Sequence, residues 1–112
     1  MHIATWNVNS VRARMPRLLP WLEEHRPEIV CLQETKCVDE QFPHEPLEDL
    51  GCSVAHHGEK SYNGVAILST RAIEDVRTSL PGDGPDAARR VIAATVEDLI
   101  VLSVYVVNGE RV

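Results

Sequence analysis

Glu28-Ile29-Val30-Cys31-Leu32-Gln33-Glu34-Thr35-Lys36 is an apolar run that stops abruptly on polar side chains, and Thr5-Trp6-Asn7-Val8-Asn9 ends the same way. Buried strands read like this when their ends open into a site. Between the two runs, Val11, Met15, Leu18, Leu19 and Leu22 fall on one face at helical spacing. A strand, a crossover helix and a second strand make a parallel unit, in which both strand ends emerge on the same edge of the sheet. Asn7 and Glu34 are therefore expected to face one cavity. Pro16 suits a helix start, whereas Pro20, a turn further in, deletes a backbone hydrogen bond. The spacing thus predicts a bent or late-starting helix that ends near His25, before Pro27.

The rest of the chain reads mostly as strands. Thr35 to Pro46 is polar and broken by prolines, which predicts a loop, followed by a short helical turn over Leu47 to Leu50 that Gly51 terminates. Ser53 to His57 and Val65 to Ser69 are two strands, and Ile73 to Leu80 is a weaker one. Pro81-Gly82-Asp83-Gly84-Pro85 is a turn cluster, and Val91 to Val96 and Leu99 to Val107 pair as a hairpin around Glu97-Asp98. The fold class is α/β, a mixed sheet begun by a parallel unit and extended by hairpins. No repeat, low-complexity tract or linker divides residues 1–112, so they form one unit. The last strand is almost wholly apolar and calls for cover on both faces.

At 112 residues and 44% hydrophobic content the chain has the length of one small domain with a modest core. Its formal net charge of −6 excludes whole-surface attraction to nucleic acid, which needs clustered cations. Arg12, Arg14 and Arg17 are the local basic candidates, and on charge pattern alone they read as a solvated helix face. Cys31, Cys37 and Cys52 form no C-x-x-C pair, and an odd number suits a reducing compartment. The N-terminus lacks a secretory pattern, and no run approaches the ~20 apolar residues of a membrane span. A soluble, cytoplasmic protein with no membrane partner is the expectation.

A lone carboxylate is usually a surface residue or an ion-pair partner. Glu34 differs because an apolar strand delivers it beside Asn7, where an unpartnered charge is costly. A hard cation is its natural partner: Mg²⁺ commonly takes one or two protein carboxylates and completes its shell with waters and substrate phosphates. Other residues have plainer readings. Tyr105 is a strand tyrosine with a wet hydroxyl, Arg89 and Arg90 blunt the start of a strand, and Gly64 supplies a turn or a close approach. His56 and His57 are strand neighbours that point to opposite faces and do not grip one ion.

The segments Thr5-Trp6-Asn7-Val8-Asn9-Ser10-Val11-Arg12-Ala13-Arg14 and Pro27 to Lys36, with Tyr62-Asn63-Gly64-Val65-Ala66-Ile67-Leu68, Arg89-Arg90-Val91-Ile92 and Ser103 to Gly109, closely resemble the exonuclease III branch of the endonuclease/exonuclease/phosphatase superfamily. The resemblance runs the length of the chain. It implies the N-terminal half of a DNase I-like two-sheet sandwich. It also implies a magnesium-dependent DNA-repair phosphodiesterase, with Mn²⁺ as a substitute ion, acting on double-stranded DNA at abasic sites and 3′ ends. By position, Glu34 resembles the family's metal ligand and Asn7 the side chain that orients it and the phosphate. Tyr105 resembles the tyrosine near the scissile phosphate. Arg90 and Asn108 resemble DNA-contacting positions, and Arg12 and Lys36 fall where backbone phosphate would lie.

Several family parts are absent from this sequence: the G-D-x-N segment, a late metal-binding Asp and a closing S-D-H. Gly82-Asp83 is a decoy, because Pro85 stands where Asn belongs, and Val107 replaces the usual Pro of Y-V-P-N. The expectation is therefore half of a sandwich whose sheet has lost its partner on the inner face. Such a chain would self-associate or await its C-terminal half, and would have negligible nuclease activity alone. A non-catalytic remnant that binds DNA or a partner chain is the alternative. A relative acting on inositol or lipid phosphates fits less well, because Arg12, Lys36 and Tyr62-Asn63-Gly64-Val65-Ala66 follow the nuclease branch.

Overall fold

In the computed structural model, which describes residues 1–78 and 90–106, Ile3–Asn7 forms β1 and Ile29–Gln33 forms β2. They pair in parallel, Ile3 opposite Ile29 and Asn7 opposite Gln33, so both strands end at one rim as expected. The crossover is a single helix, α1 (Val11–His25), which buries Val11, Leu18 and Leu22.

α1 departs from expectation in starting at Val11, well before Pro16, and in carrying both Pro16 and Pro20 inside. Its first amides explain this, for they are satisfied from outside the helix. Ser10 N–H donates to Glu34 O (2.8 Å), Val11 N–H to Thr35 O (3.0 Å), and the Ser10 hydroxyl accepts from Ala13 N–H (3.3 Å). Both prolines lie on the exposed side, where water hydrates the carbonyls they leave unpaired. An interior proline costs roughly 3 kcal/mol, of which stiffening of the unfolded chain returns up to about 1. Pro20→Ala is therefore expected to raise the unfolding free energy by about 2 kcal/mol, read as a shift of the urea midpoint at constant slope.

Past β2 the chain makes a short 3₁₀ turn at Asp39–Gln41 and a helix α2 (His44–Asp49), a little earlier and longer than the turn predicted. Strands β3 (Ser53–His57) and β4 (Val65–Ser69) follow, antiparallel to each other, and β4 also pairs antiparallel with β2. The sheet order is β1-β2-β4-β3, a mixed sheet in which every residue of β2 and β4 is buried.

The later strands do not extend this sheet. β5 (Glu74–Arg77), β6 (Val91–Val96) and β7 (Leu99–Val104) form a second, antiparallel sheet, with the expected hairpin between β6 and β7. That sheet lies against the first. Ile29, Cys31, Val65 and Ile67 meet Ile92, Ala94, Val96 and Val101 in one apolar cluster. On the opposite face Val30, Leu32, Ala66 and Leu68 pack on Leu18, Leu22, Phe42 and Leu47 of the helical layer. The expected loss of a partner on the inner face is thus corrected, because the chain's own hairpin supplies the cover. The outward side of β7 stays apolar and open, with Ile100 76% exposed and Leu102 and Val104 also exposed. Among the described residues no helix is long and apolar enough to cross a membrane. Asn108, Val107, Arg89 and the 81–85 turn lie outside the described residues.

The two sheets are tied together just beneath the rim. Gln33, buried at the end of β2, donates from Nε2 to Thr5 Oγ1 (2.9 Å) and to Ser103 Oγ (3.1 Å), and Ser103 Oγ donates to Leu32 O (2.9 Å). Three strands from two sheets are pinned by one amide, whose bond to Thr5 lies at the part-buried edge and whose bond to Ser103 is fully buried, where leaving it unmade is costly.

Candidate active site

The rim is built on backbone that ordinary residues avoid. Asn9 (φ 45°), Ser10 (φ 86°), Glu34 (φ 56°) and Lys36 (φ 57°) all take positive φ immediately after β1 and β2. Each such residue costs about 1–2 kcal/mol and persists only where its surroundings over-determine it. The surroundings do so here. Val8 N–H donates to Gln33 O (3.0 Å), Thr35 N–H to Gly64 O (3.2 Å) and Lys36 N–H to Asn63 O (3.0 Å), in addition to the two bonds at the start of α1. The loop after β1, the loop after β2 and the segment before β4 are laced into one surface.

On that surface Asn7 and Glu34 are in contact. Asn7 Nδ2 donates to Glu34 Oε2 (2.5 Å), and Asn7 Oδ1 accepts from Asn9 N–H (3.1 Å). Lys36 Nζ donates to Asn9 Oδ1 (2.5 Å) and stands 3.7 Å from Glu34 Oε1. The Glu34 side chain is 22% exposed, enough to meet a ligand from solvent. With its oxygen turned to Asn9, Asn7 presents an N–H to the carboxylate and so orients Glu34, while Oδ1 keeps a second lone pair for a ligand. Among the described residues no group of three His, Cys, Asp or Glu side chains converges on one point. A single carboxylate beside an amide and a lysine does not cage an ion; it suits a hard cation that also takes waters and an anionic ligand's oxygens.

Beneath Glu34 lies a second polar cluster. His56 faces the helical layer from β3, its ring over Phe42 at a centroid distance of 4.2 Å and its side chain only 1% exposed. His56 Nε2 is 2.7 Å from Thr35 Oγ1, and Nδ1 lies 2.7 Å from Asp39 Oδ1, off the straight N–H direction. That same carboxylate oxygen accepts from Gly58 N–H (3.0 Å). Burial pushes the His56 pKa down to about 4, against the opposing pull of Asp39, so the ring is neutral near pH 7.

The other expected residues sit around this centre. Arg12 is exposed in the first turn of α1, and its charge opposes the upward push that burial gives the Cys37 thiol. Arg90 Nε donates to Asn63 Oδ1 (3.3 Å), on the segment that also accepts from Lys36. Tyr105 continues the inward register of Val101 and Ser103 past the end of β7, is partly buried against the inter-sheet cluster, and donates its N–H to Arg90 O (2.8 Å). Among the described residues neither Arg12 nor Tyr105 is hydrogen-bonded to Asn7, Glu34 or Lys36. Asn108 lies outside the described residues. Asn9, Asp39, Asn63 and His56 were not anticipated as parts of the site. Asn9 stood within the quoted motif, but no pattern in the sequence marks His56 as the neighbour of Thr35.

The chain is a layered α/β/β unit with an oxygen-donor site at the ends of parallel strands, and comparison with known proteins places it in a family. Residues 4–110 match the model of the Endonuclease/Exonuclease/phosphatase family, and the chain belongs to that family. It is 39% identical to the exodeoxyribonuclease III of Haemophilus influenzae, over 98% of this chain and 43% of that protein. It superposes on the 3′ phosphatase NExo from Neisseria, bound to a product DNA hairpin, with a TM-score of 0.94 and 45% identity over 98% of this chain and 43% of the other. An AP endonuclease from Archaeoglobus fulgidus gives a TM-score of 0.89 and 40% identity over 94% of this chain and 40% of the other. The chain spans less than half the length of each of these proteins.

Proposed function

We propose that residues 1–112 are the N-terminal part of one catalytic domain, that of an exonuclease III-type phosphodiesterase acting on double-stranded DNA at abasic sites and 3′ ends. The observation that carries this reading is the Asn7–Glu34 contact, with Lys36 beside it, on a strained rim open to solvent. Relatives named exodeoxyribonuclease III, 3′ phosphatase and AP endonuclease support the class of substrate.

In this reading Glu34 holds Mg²⁺, or Mn²⁺ in its place, and when bound the ion offsets the charge that builds on the phosphate oxygens. Asn7 fixes the carboxylate by holding Oε2, and Glu34 would hold the ion with its remaining oxygen capacity, beside Lys36. Lys36, Arg12 and Arg90 contribute positive charge along the DNA backbone, and Asn108 is a further DNA-contacting residue in this reading. Tyr105, just past the end of β7, would be the tyrosine whose phenol lies near the scissile phosphate. The chain carries no G-D-x-N or S-D-H segment to activate water and steady the phosphate, so it is expected to bind an ion but to cut an abasic duplex negligibly by itself.

Glu34→Gln keeps the shape and the hydrogen bond to Asn7 and removes the charge. It is expected to weaken Mg²⁺ binding at least tenfold by calorimetry, with the circular dichroism spectrum unchanged. Unaltered affinity would overturn the assignment. A non-catalytic role through the open side of β7, either with the C-terminal half or with a second copy, is the second reading. It is favoured by the exposure of Ile100, Leu102 and Val104 and is tested by sedimentation of the isolated chain.

A further inference from the structure

Thr35 lies between two residues of positive φ, Glu34 and Lys36, and both carry side chains of the rim. Its own groups are held from three directions. The N–H donates to Gly64 O, the carbonyl accepts from Val11 N–H, and Oγ1 meets His56 Nε2 at 2.7 Å. The first two bonds join neighbouring segments of backbone, while the third runs inward through a ring that is itself confined.

The direction of that inner bond follows from the tautomer. The carboxylate oxygen of Asp39, 2.7 Å from Nδ1 though off the line of its N–H, favours the imidazole proton on Nδ1, and in that tautomer Nε2 accepts from the Thr35 hydroxyl. The space around the pair is closed by two glycines. A Cβ on Gly58 would lie 2.4 Å from His56 Cε1 and 2.2 Å from Cys37 O, and one on Gly64 would lie 2.0 Å from Thr35 Oγ1. The ring and the hydroxyl each pack against a glycine where a larger residue would not fit.

We propose that His56, hydrogen-bonded to Thr35 and held beside the Asp39 carboxylate, clamps the direction of Glu34, which makes Thr35 and His56 positioning residues of the cation site. The inference rests on the reading of Glu34 as the ligand, and adds that its aim is set from the interior, through its neighbour, as well as by Asn7. A clamp of this kind makes ion affinity depend on a hydroxyl that never touches the ion. Packing alone would make stability depend on Thr35 and leave affinity untouched.

The test is Mn²⁺ titration of the chain, followed by electron paramagnetic resonance of the free ion, with urea unfolding of each variant alongside. Thr35→Val, which keeps the shape and loses the hydroxyl, is expected to weaken Mn²⁺ binding about tenfold, in the range typical of groups that orient a ligand. Thr35→Ser is expected to restore affinity to within about threefold. Thr35→Val that loses stability but keeps its affinity overturns the clamp. Should Thr35→Val fail to fold, His56→Gln, whose amide oxygen reaches the Nε2 position, and His56→Leu carry the same comparison: weakening in the leucine variant alone supports the clamp, and equal affinities overturn it. Glu34→Gln separates the two ideas. If it weakens binding while Thr35→Val does not, only the clamp fails; if it leaves affinity unchanged, the ligand assignment fails and the clamp with it.

Discussion

Gly64→Ala is expected to cost roughly 2–5 kcal/mol of folding free energy, a large part of a small domain's stability. Two independent terms add at this residue. Its φ of +96° lies where an L side chain is strained, worth about 1–2 kcal/mol. The new Cβ would also stand 2.0 Å from Thr35 Oγ1 and 3.2 Å from Lys36 N, and overfilling a packed site typically costs about 1–3 kcal/mol. The hydroxyl cannot swing clear without leaving His56, and the backbone cannot retreat without losing the Thr35 N–H bond to Gly64 O. Urea unfolding measures the total. Adding Thr35→Ala removes the closest clashing atom, so the double variant should be more stable than the sum of the two losses by about 1 kcal/mol. A loss below about 1 kcal/mol for Gly64→Ala alone would show that the rim gives way easily and is not a rigid platform.

The same contacts show which parts of the molecule are readable from the chain. The β1-α1-β2 unit is legible because its signal is local: an apolar run, a period of about 3.6 and a second apolar run fix handedness and rim by general rules. Asn7 and Glu34 follow from it, since each is defined by where a strand stops. The early start of α1 is not legible, because what rescues its first turn is the pair of carbonyls at Glu34 and Thr35, more than twenty residues away. The second sheet escapes for a related reason. Alternation marks Ile92, Ala94 and Val96 as inward, but says nothing of which surface they turn inward to meet. His56 is the extreme case. Thr35, Asp39 and His56 share no spacing rule, and they meet only because β3 pairs with β4 in the register that sets His56 opposite Ala66 and His57 opposite Val65. Gly64, by contrast, is readable as a site of turn or close approach, and the close approach is what the structure shows, at a φ of +96°.

Acid should reveal His56. Its folded pKa of about 4 lies below the ordinary value of 6.5, first because burial penalises the charged ring, with His44 and His57 adding to the penalty and Asp39 partly offsetting it. A histidine held neutral in this way binds its proton more weakly folded than unfolded. Between about pH 6.5 and pH 4 the unfolded chain therefore holds a proton that the native chain refuses, and unfolding free energy rises with pH. The contribution is complete above pH 6.5 and is lost as pH falls toward 4. Two and a half pH units at 1.36 kcal/mol each set its size at about 3 kcal/mol. Urea unfolding at pH 7, 5.5 and 4 should show that decline, and His56→Gln, which has no proton to gain, should decline less by about the same amount. Glu28, whose pKa is lowered chiefly by the His2 backbone N–H, is common to both proteins and cancels in the comparison. Protonation also places an N–H on Nε2, so the Thr35 hydroxyl must reverse from donor to acceptor. The acid limb of stability and the hold on Thr35 are thus two consequences of one buried ring. Parallel pH profiles for the two proteins would mean that His56 meets water in the native state, and that the interior beneath Glu34 is not closed.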